Sequence, residues 1–109
     1  MGKLSTDVSR EVEALSHAFK VVVQSETYKP EHFGNAILTL AGPAVSFRIV
    51  RDRSEIFLDV RGAANDWVDV RGILGSLGLL ENPRALHPLC ELVEISVRNA
   101  DVLSHRVGT

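Results

Sequence analysis

Four histidines, one cysteine and a scatter of aspartates are the side chains here with the chemistry to catalyse a reaction or hold a metal. His17, His32, His87 and His105 never fall at the helical spacing that a zinc site uses. The closest thing to a ligand group is His87, Cys90, Glu91 and Glu94. It reads better as structure: Cys90 is a small side chain on or beside a helix seam, and the two glutamates form its wet face. A Cys–His nucleophile pair requires an exposed thiol beside a base. His87 lies three residues before Cys90, but Pro88 disturbs the geometry between them and no third, orienting group is evident. Asp66 and Asp69 read as helix-start residues and Asp52 as a turn residue, while Asp59 has Arg48 or Arg61 as a partner. Gly72, Gly75 and Gly78 recur at threes in or after a helical stripe, with no P-loop lysine behind them. The expectation is a non-enzymatic protein with no metal, nucleotide or other cofactor.

Charge points the same way. The 109 residues carry 12 basic and 14 acidic side chains, interspersed, for a net charge of -2. Nucleic-acid binders concentrate positive charge to neutralise phosphates, so no nucleic-acid partner is expected. A lone cysteine has no internal disulfide partner and suits a reducing compartment. Met1 to Glu13 is polar, without an apolar signal region, and no apolar run approaches the ~20 residues that span a bilayer. The expected setting is cytoplasmic, with no membrane partner. A hydrophobic fraction of 45% supports one globular domain over residues 1–109.

The elements that must position these side chains follow from periodicity. Val8, Val12, Leu15, Phe19 and Val22 form one stripe, so a helix is expected from about Asp7 to Val22, capped by Thr6 or Asp7. The β-branched run Val21-Val22-Val23 leaves its end open, and Gln24 to His32 reads as a connection. Three strands follow, at about Asn35–Ala41, Ala44–Arg51 and Ser54–Arg61, joined at Gly42-Pro43 and Asp52-Arg53. Pairing Leu40 with Val45 and Arg51 with Ser54 sends Ala36, Leu38, Leu40, Val45, Phe47, Ile49, Ile56, Leu58 and Val60 to one side of an antiparallel meander. The longer loop is expected at the second turn, because Arg53 disfavours the positive φ of a tight turn. Gly62 to Asn65 reads as a loop, and Asp66 then caps a helix to Leu77 whose stripe is Trp67, Val70, Leu74 and Leu77, with Gly78 as C-cap. One turn near Pro83 precedes a last helix from about Pro88, with Leu89, Leu92, Val93, Ser96, Ala100 and Leu103 buried and a frayed tail from Ser104. The fold expected is α+β: a three-stranded antiparallel meander with helices on one face, in the order α-β-β-β-α-α.

The reverse face of that meander is mixed. It carries Ile37, Val50 and Phe57 among Arg48, Asp59 and Arg61, with Ile37, Arg48 and Phe57 in one row. Apolar side chains set among arginines resemble a protein-binding surface, so Ile37, Arg48, Phe57, Asp59 and Arg61 are the candidate contact residues; the alternative is that the N-terminal or C-terminal helix covers this face and makes it a second core layer. The outer strands, first and third, leave edges open to pairing with another chain.

Phe33-Gly34-Asn35, Arg51-Asp52-Arg53 at a hairpin, and Asp66-Trp67-Val68-Asp69 running into Leu74, Leu77 and Gly78 make the stretch from Phe33 to Gly78 resemble small bacterial proteins, some of them similar to immunity proteins of polymorphic toxin systems. The likeness covers under half the chain and rests on fold markers: a turn, a cap and a core tryptophan. It implies a non-enzymatic binding protein and assigns no functional residue. The expected function is therefore protein binding, immunity-like, through the mixed face. The alternatives are a structural homodimer, or a small enzyme or ligand binder with a pocket near Trp67, His87 or Cys90.

Overall fold

The computed structural model describes residues 4–29, 35–53, 55–63 and 66–108. His32, Phe33, Gly34, Ser54 and Asn65 lie outside the described residues. The fold is α+β, with a larger sheet and more helices than expected. Helices α1 (Leu4–Asp7) and α2 (Ser9–Phe19) lead into strands β1 (Val22–Lys29), β2 (Asn35–Ala41), β3 (Val45–Asp52), β4 (Glu55–Gly62) and β5 (Val68–Asp69); helices α3 (Val70–Ser76), α4 (Leu89–Arg98) and α5 (Ala100–Gly108) follow. The five strands pair in chain order, each antiparallel to the next.

The expected three-stranded sheet is thus the centre of a five-stranded one, and its outer strands, now β2 and β4, are interior. The rims are β1 and β5. Strand β1 occupies much of the segment read as a connection. The first helix ends at Phe19, where Lys20 turns left-handed at φ 60° and donates its amide to the Ser16 carbonyl. Val22 therefore leaves the helical stripe for the sheet edge, where it is 67% exposed. Neither Thr6 nor Asp7 caps α2: its N-cap is Val8, with no side-chain cap bond. Glu26 of β1 instead accepts from the Ser5 amide and hydroxyl at 3.3 and 2.7 Å, tying the first turn to the sheet.

Both hairpins sit two residues from the expected register. Leu40 faces Phe47, Phe47 faces Val60 and Ile49 faces Leu58. A shift of two preserves which side each residue faces, because strand side chains alternate with period two. The apolar set consequently stays together: Ala36, Leu38, Leu40, Val45, Phe47, Ile49, Leu58 and Val60 are buried and Ile56 is partly buried against them. At the second turn Asp52 pairs with Glu55, and Arg53 adopts φ 61°. The tight turn forms despite the side chain, and the Asn35 side-chain oxygen holds the Arg53 amide at 3.0 Å.

The helices share one core with this side of the sheet. Phe19 of α2 meets Phe47 edge-on, centroids 4.8 Å apart. Leu4, Val8 and Leu15 join them, as do Val70 and Leu74 of α3, Leu92 and Val93 of α4, and Leu103 and Val107 of α5. Burial of Val107 shows the tail packed as helix to Gly108, where fraying was expected; only Thr109 lies outside the described residues. Buried Ser96 donates to the Leu92 carbonyl at 2.8 Å. The second helix begins at Val70 rather than after Asp66: Asp69 is its N-cap, accepting from the Arg71 amide at 2.9 Å. It ends at Ser76 with Leu77 as its C-cap, where Gly78 was expected; Gly78 follows at φ 74°, which suits a residue without Cβ. Among the described residues, no helix is long and apolar enough to cross a membrane.

Candidate functional site

The side of the sheet turned away from the helices is open. Pairing lays its residues out in rows. Thr27, Ile37, Val50 and Phe57 form one row, and Ser25, Thr39, Arg48, Asp59 and Asp69 form the next. Arg61 pairs with Ser46 beyond them. The two-residue register shift moves Arg48 out of the row with Ile37 and Phe57 and puts Val50 there, so the apolar strip is continuous and the charges lie beside it. Ile37 is 40% exposed, Arg61 is exposed, and Arg48, Val50, Phe57 and Asp59 are partly buried. All five candidate contact residues share this one face.

The structure adds Trp67, Asp69 and Arg71 to this face, of which only Trp67 had a different place in the sequence reading. Trp67 was placed on the core stripe of a helix, but the helix starts three residues later. The chain there is extended, and Trp67 falls on the same side as Asp69, facing outward. Arg48 lies over its ring at 4.8 Å from the centroid and Arg61 at 4.4 Å. Asp59 receives the Arg48 Nε and Nη2 donors at 3.1 and 2.8 Å. Asp69 does the same for Arg71, which donates through Nε and Nη2 to its carboxylate and through Nη1 to the Ala85 carbonyl at 3.0 Å. The hydrogen bond to Asp69, opposed by partial burial, holds the Arg71 guanidinium above its ordinary pKa. Arg71 also sits 5.7 Å from the Phe57 centroid, closing one end of the apolar row.

Each of the two aspartates is engaged by an arginine through a charge-assisted, two-donor contact. Arg61 differs from Arg48 and Arg71: among the described residues its only recorded partner is the indole.

Residues of the other readings stay apart. His87 lies near Glu91, with Nδ1 3.4 Å from its carboxylate, and its Nε2 is 2.8 Å from the Asn82 carbonyl. It lines a shallow groove with Glu55, Ile56 and Leu86, whereas exposed Cys90 lines a different one with Arg10, Glu11 and Val93; Trp67 lines neither. No pocket between sheet and helices unites the three among the described residues. Nor do those residues hold three or more histidine, cysteine or acidic side chains placed to bind a metal. Asp52 and Asp66 are exposed.

No family model matches this chain, and no curated protein or solved structure shows significant similarity to it.

Proposed function

We propose that this chain is a non-enzymatic protein-binding module whose contact surface is the open face of its sheet. The observation that carries the proposal is a continuous apolar row, Ile37, Val50 and Phe57, on the side of the sheet opposite the helix-packed core, flanked by an arginine–tryptophan cluster and closed at one end by Arg71. Interface centres are enriched in aromatic residues and arginine, and aromatic–arginine anchors carry much of the binding energy. The resemblance of 33–78 to immunity proteins gives the sharper form: a bacterial, cytoplasmic protein that neutralises a toxin by holding it on this face.

Affinity capture from the native host tests it with three baits: wild type, Ile37→Asp on the open face, and Arg98→Glu on the outer surface of α4. A partner held by wild type and Arg98→Glu but lost by Ile37→Asp is the expected result. A partner indifferent to Ile37→Asp, or lost only by Arg98→Glu, puts the contact elsewhere.

The rim strand β1 favours a second reading, a homodimer. It lies at the rim of the sheet among the described residues, with Val22 and Val23 at least half exposed, and rim strands pair with strands of other chains. Light scattering at high micromolar concentration decides it, since a monomer there excludes the dimer.

A further inference from the structure

We infer that the partner presents a carboxylate to Arg61 and an apolar side chain to the Ile37–Val50–Phe57 row, so that the open face reads an acidic–apolar pair on a protein segment. The inference rests on the open-face reading above and deepens it by naming the partner's chemistry.

Two guanidiniums, of Arg48 and Arg61, lie over one indole. Like charges so close repel each other, and only one of them is answered. Asp59 neutralises Arg48 with two donors into one oxygen, while Arg71 is neutralised by Asp69. Arg61 has no carboxylate within ion-pair distance among the described residues and is exposed. Among the described residues none of its guanidinium donors has a hydrogen-bond partner. An arriving carboxylate would meet a planar fork already placed beside the indole, and arginine binds that group through two parallel donors.

The position of the apolar row sets a spacing. Arg61 and Phe57 lie four residues apart on β4, and their partners Ser46 and Val50 lie four apart on β3. At about 3.3 Å per residue the two subsites are ~13 Å from each other. An extended peptide spans this when its acidic and apolar side chains stand at positions i and i+4, with three residues between them.

The same face speaks against a nucleic acid. Glu55, Asp59 and Asp69 share it, which opposes a polyanion. Base stacking also needs bare rings, and here Trp67 carries Arg48 and Arg61 while Phe57 carries Arg71.

Selection of a random twelve-residue peptide display library on the immobilised protein tests the inference. Peptides enriched in Asp or Glu together with aromatic or branched aliphatic residues are expected. The enriched peptides, synthesised, should bind Arg61→Gln about tenfold more weakly than wild type and Arg61→Glu more weakly still. Thermal melts of both variants should match wild type within a few degrees, because Arg61 is exposed. Apolar peptides lost by Ile37→Asp yet unaffected by Arg61→Gln would sink the carboxylate inference and leave the open face standing. Peptides indifferent to both variants would sink both. No enrichment, or a single-stranded oligonucleotide that binds wild type and releases from Arg61→Glu, would also overturn it.

Discussion

Arg48 and Asp59 face each other directly across β3 and β4, and both Nε and Nη2 of the arginine donate to a single oxygen of the aspartate, at 3.1 and 2.8 Å. The arginine is the more exposed partner, at 30% against 16%. Solvent screening therefore keeps the pair's worth modest, in the range of about 0.5–1 kcal/mol. A double-mutant cycle with Arg48→Ala and Asp59→Ala, followed by urea unfolding, should return a coupling of that size that shrinks as salt is raised. A coupling indistinguishable from zero at low salt would show that the contact contributes nothing to the fold.

The two glycines inside α3 should respond in opposite directions to alanine. A Cβ on Gly75 would sit 2.8 Å from Cγ of Pro83, a stiff ring with little room to retreat, whereas one on Gly72 meets nothing within 4 Å. Gly72→Ala should stabilise by up to about 1 kcal/mol through helix propensity and lost unfolded-state entropy. Gly75→Ala should destabilise by about 1–3 kcal/mol through overpacking. Urea midpoints compare the pair, and equal signs would contradict the close approach of Pro83 to α3.

Phe47 and Trp67 are both large aromatic residues on β-structure, yet their truncations should differ several-fold. Phe47 is fully buried against Phe19, so Phe47→Ala removes transfer energy and leaves a cavity, at about 3–5 kcal/mol. Trp67 lies on the open face under two guanidiniums, and Trp67→Ala should cost about 1–2 kcal/mol for the two cation–π contacts. Thermal or urea unfolding gives both values. A loss at Trp67 as large as that at Phe47 would place the indole in the core after all.

Glu26 acts at a distance in sequence as the anchor of the first helical turn, accepting from the Ser5 amide and hydroxyl. Glu26→Ala should destabilise by about 1 kcal/mol, as loss of a capping acceptor does, and should speed amide exchange across residues 4–8 more than elsewhere. Unchanged exchange there would mean that the packing of Leu4 and Val8 holds the turn without help.

Much of this architecture was legible in alternation. Strand side chains change sides with every residue, so the period-two pattern over 35–61 determines that Leu38, Phe47 and Leu58 point the same way whichever even register the hairpins choose. The register came out two residues away from expectation and the buried set did not change. The start of helix α4 was equally readable, because its stripe through Leu89, Leu92, Val93 and Ser96 keeps a helical period next to a proline that cannot continue a helix backwards, but the single helix expected through Leu103 is broken at Asn99 into α4 and α5. That Ile37, Arg48, Phe57, Asp59 and Arg61 share one face was legible too, because they sit at the opposite parity.

Strand β1 was hidden because both its sides are wet. A rim strand need not alternate, so Gln24, Ser25, Glu26 and Thr27 carry the polarity of a loop. The tryptophan was misplaced for a different reason: Trp67 is three residues before Val70, a spacing that fits a helical stripe as well as an extended approach to β5, and only the pairing of Val68 with Val60 removes the ambiguity.

Composition and alternation alone decided that this chain would build a sheet with one greasy side under helices, since the hydrophobic effect acts on whichever side the period collects. Which side chains meet on the other side was decided only by tertiary structure. Arg48, Arg61 and Trp67 come from three separate segments with no shared period, and nothing local ties one to another. Their contact depends on strand pairing across two hairpins and on where α3 begins, both of which are properties of the assembled sheet.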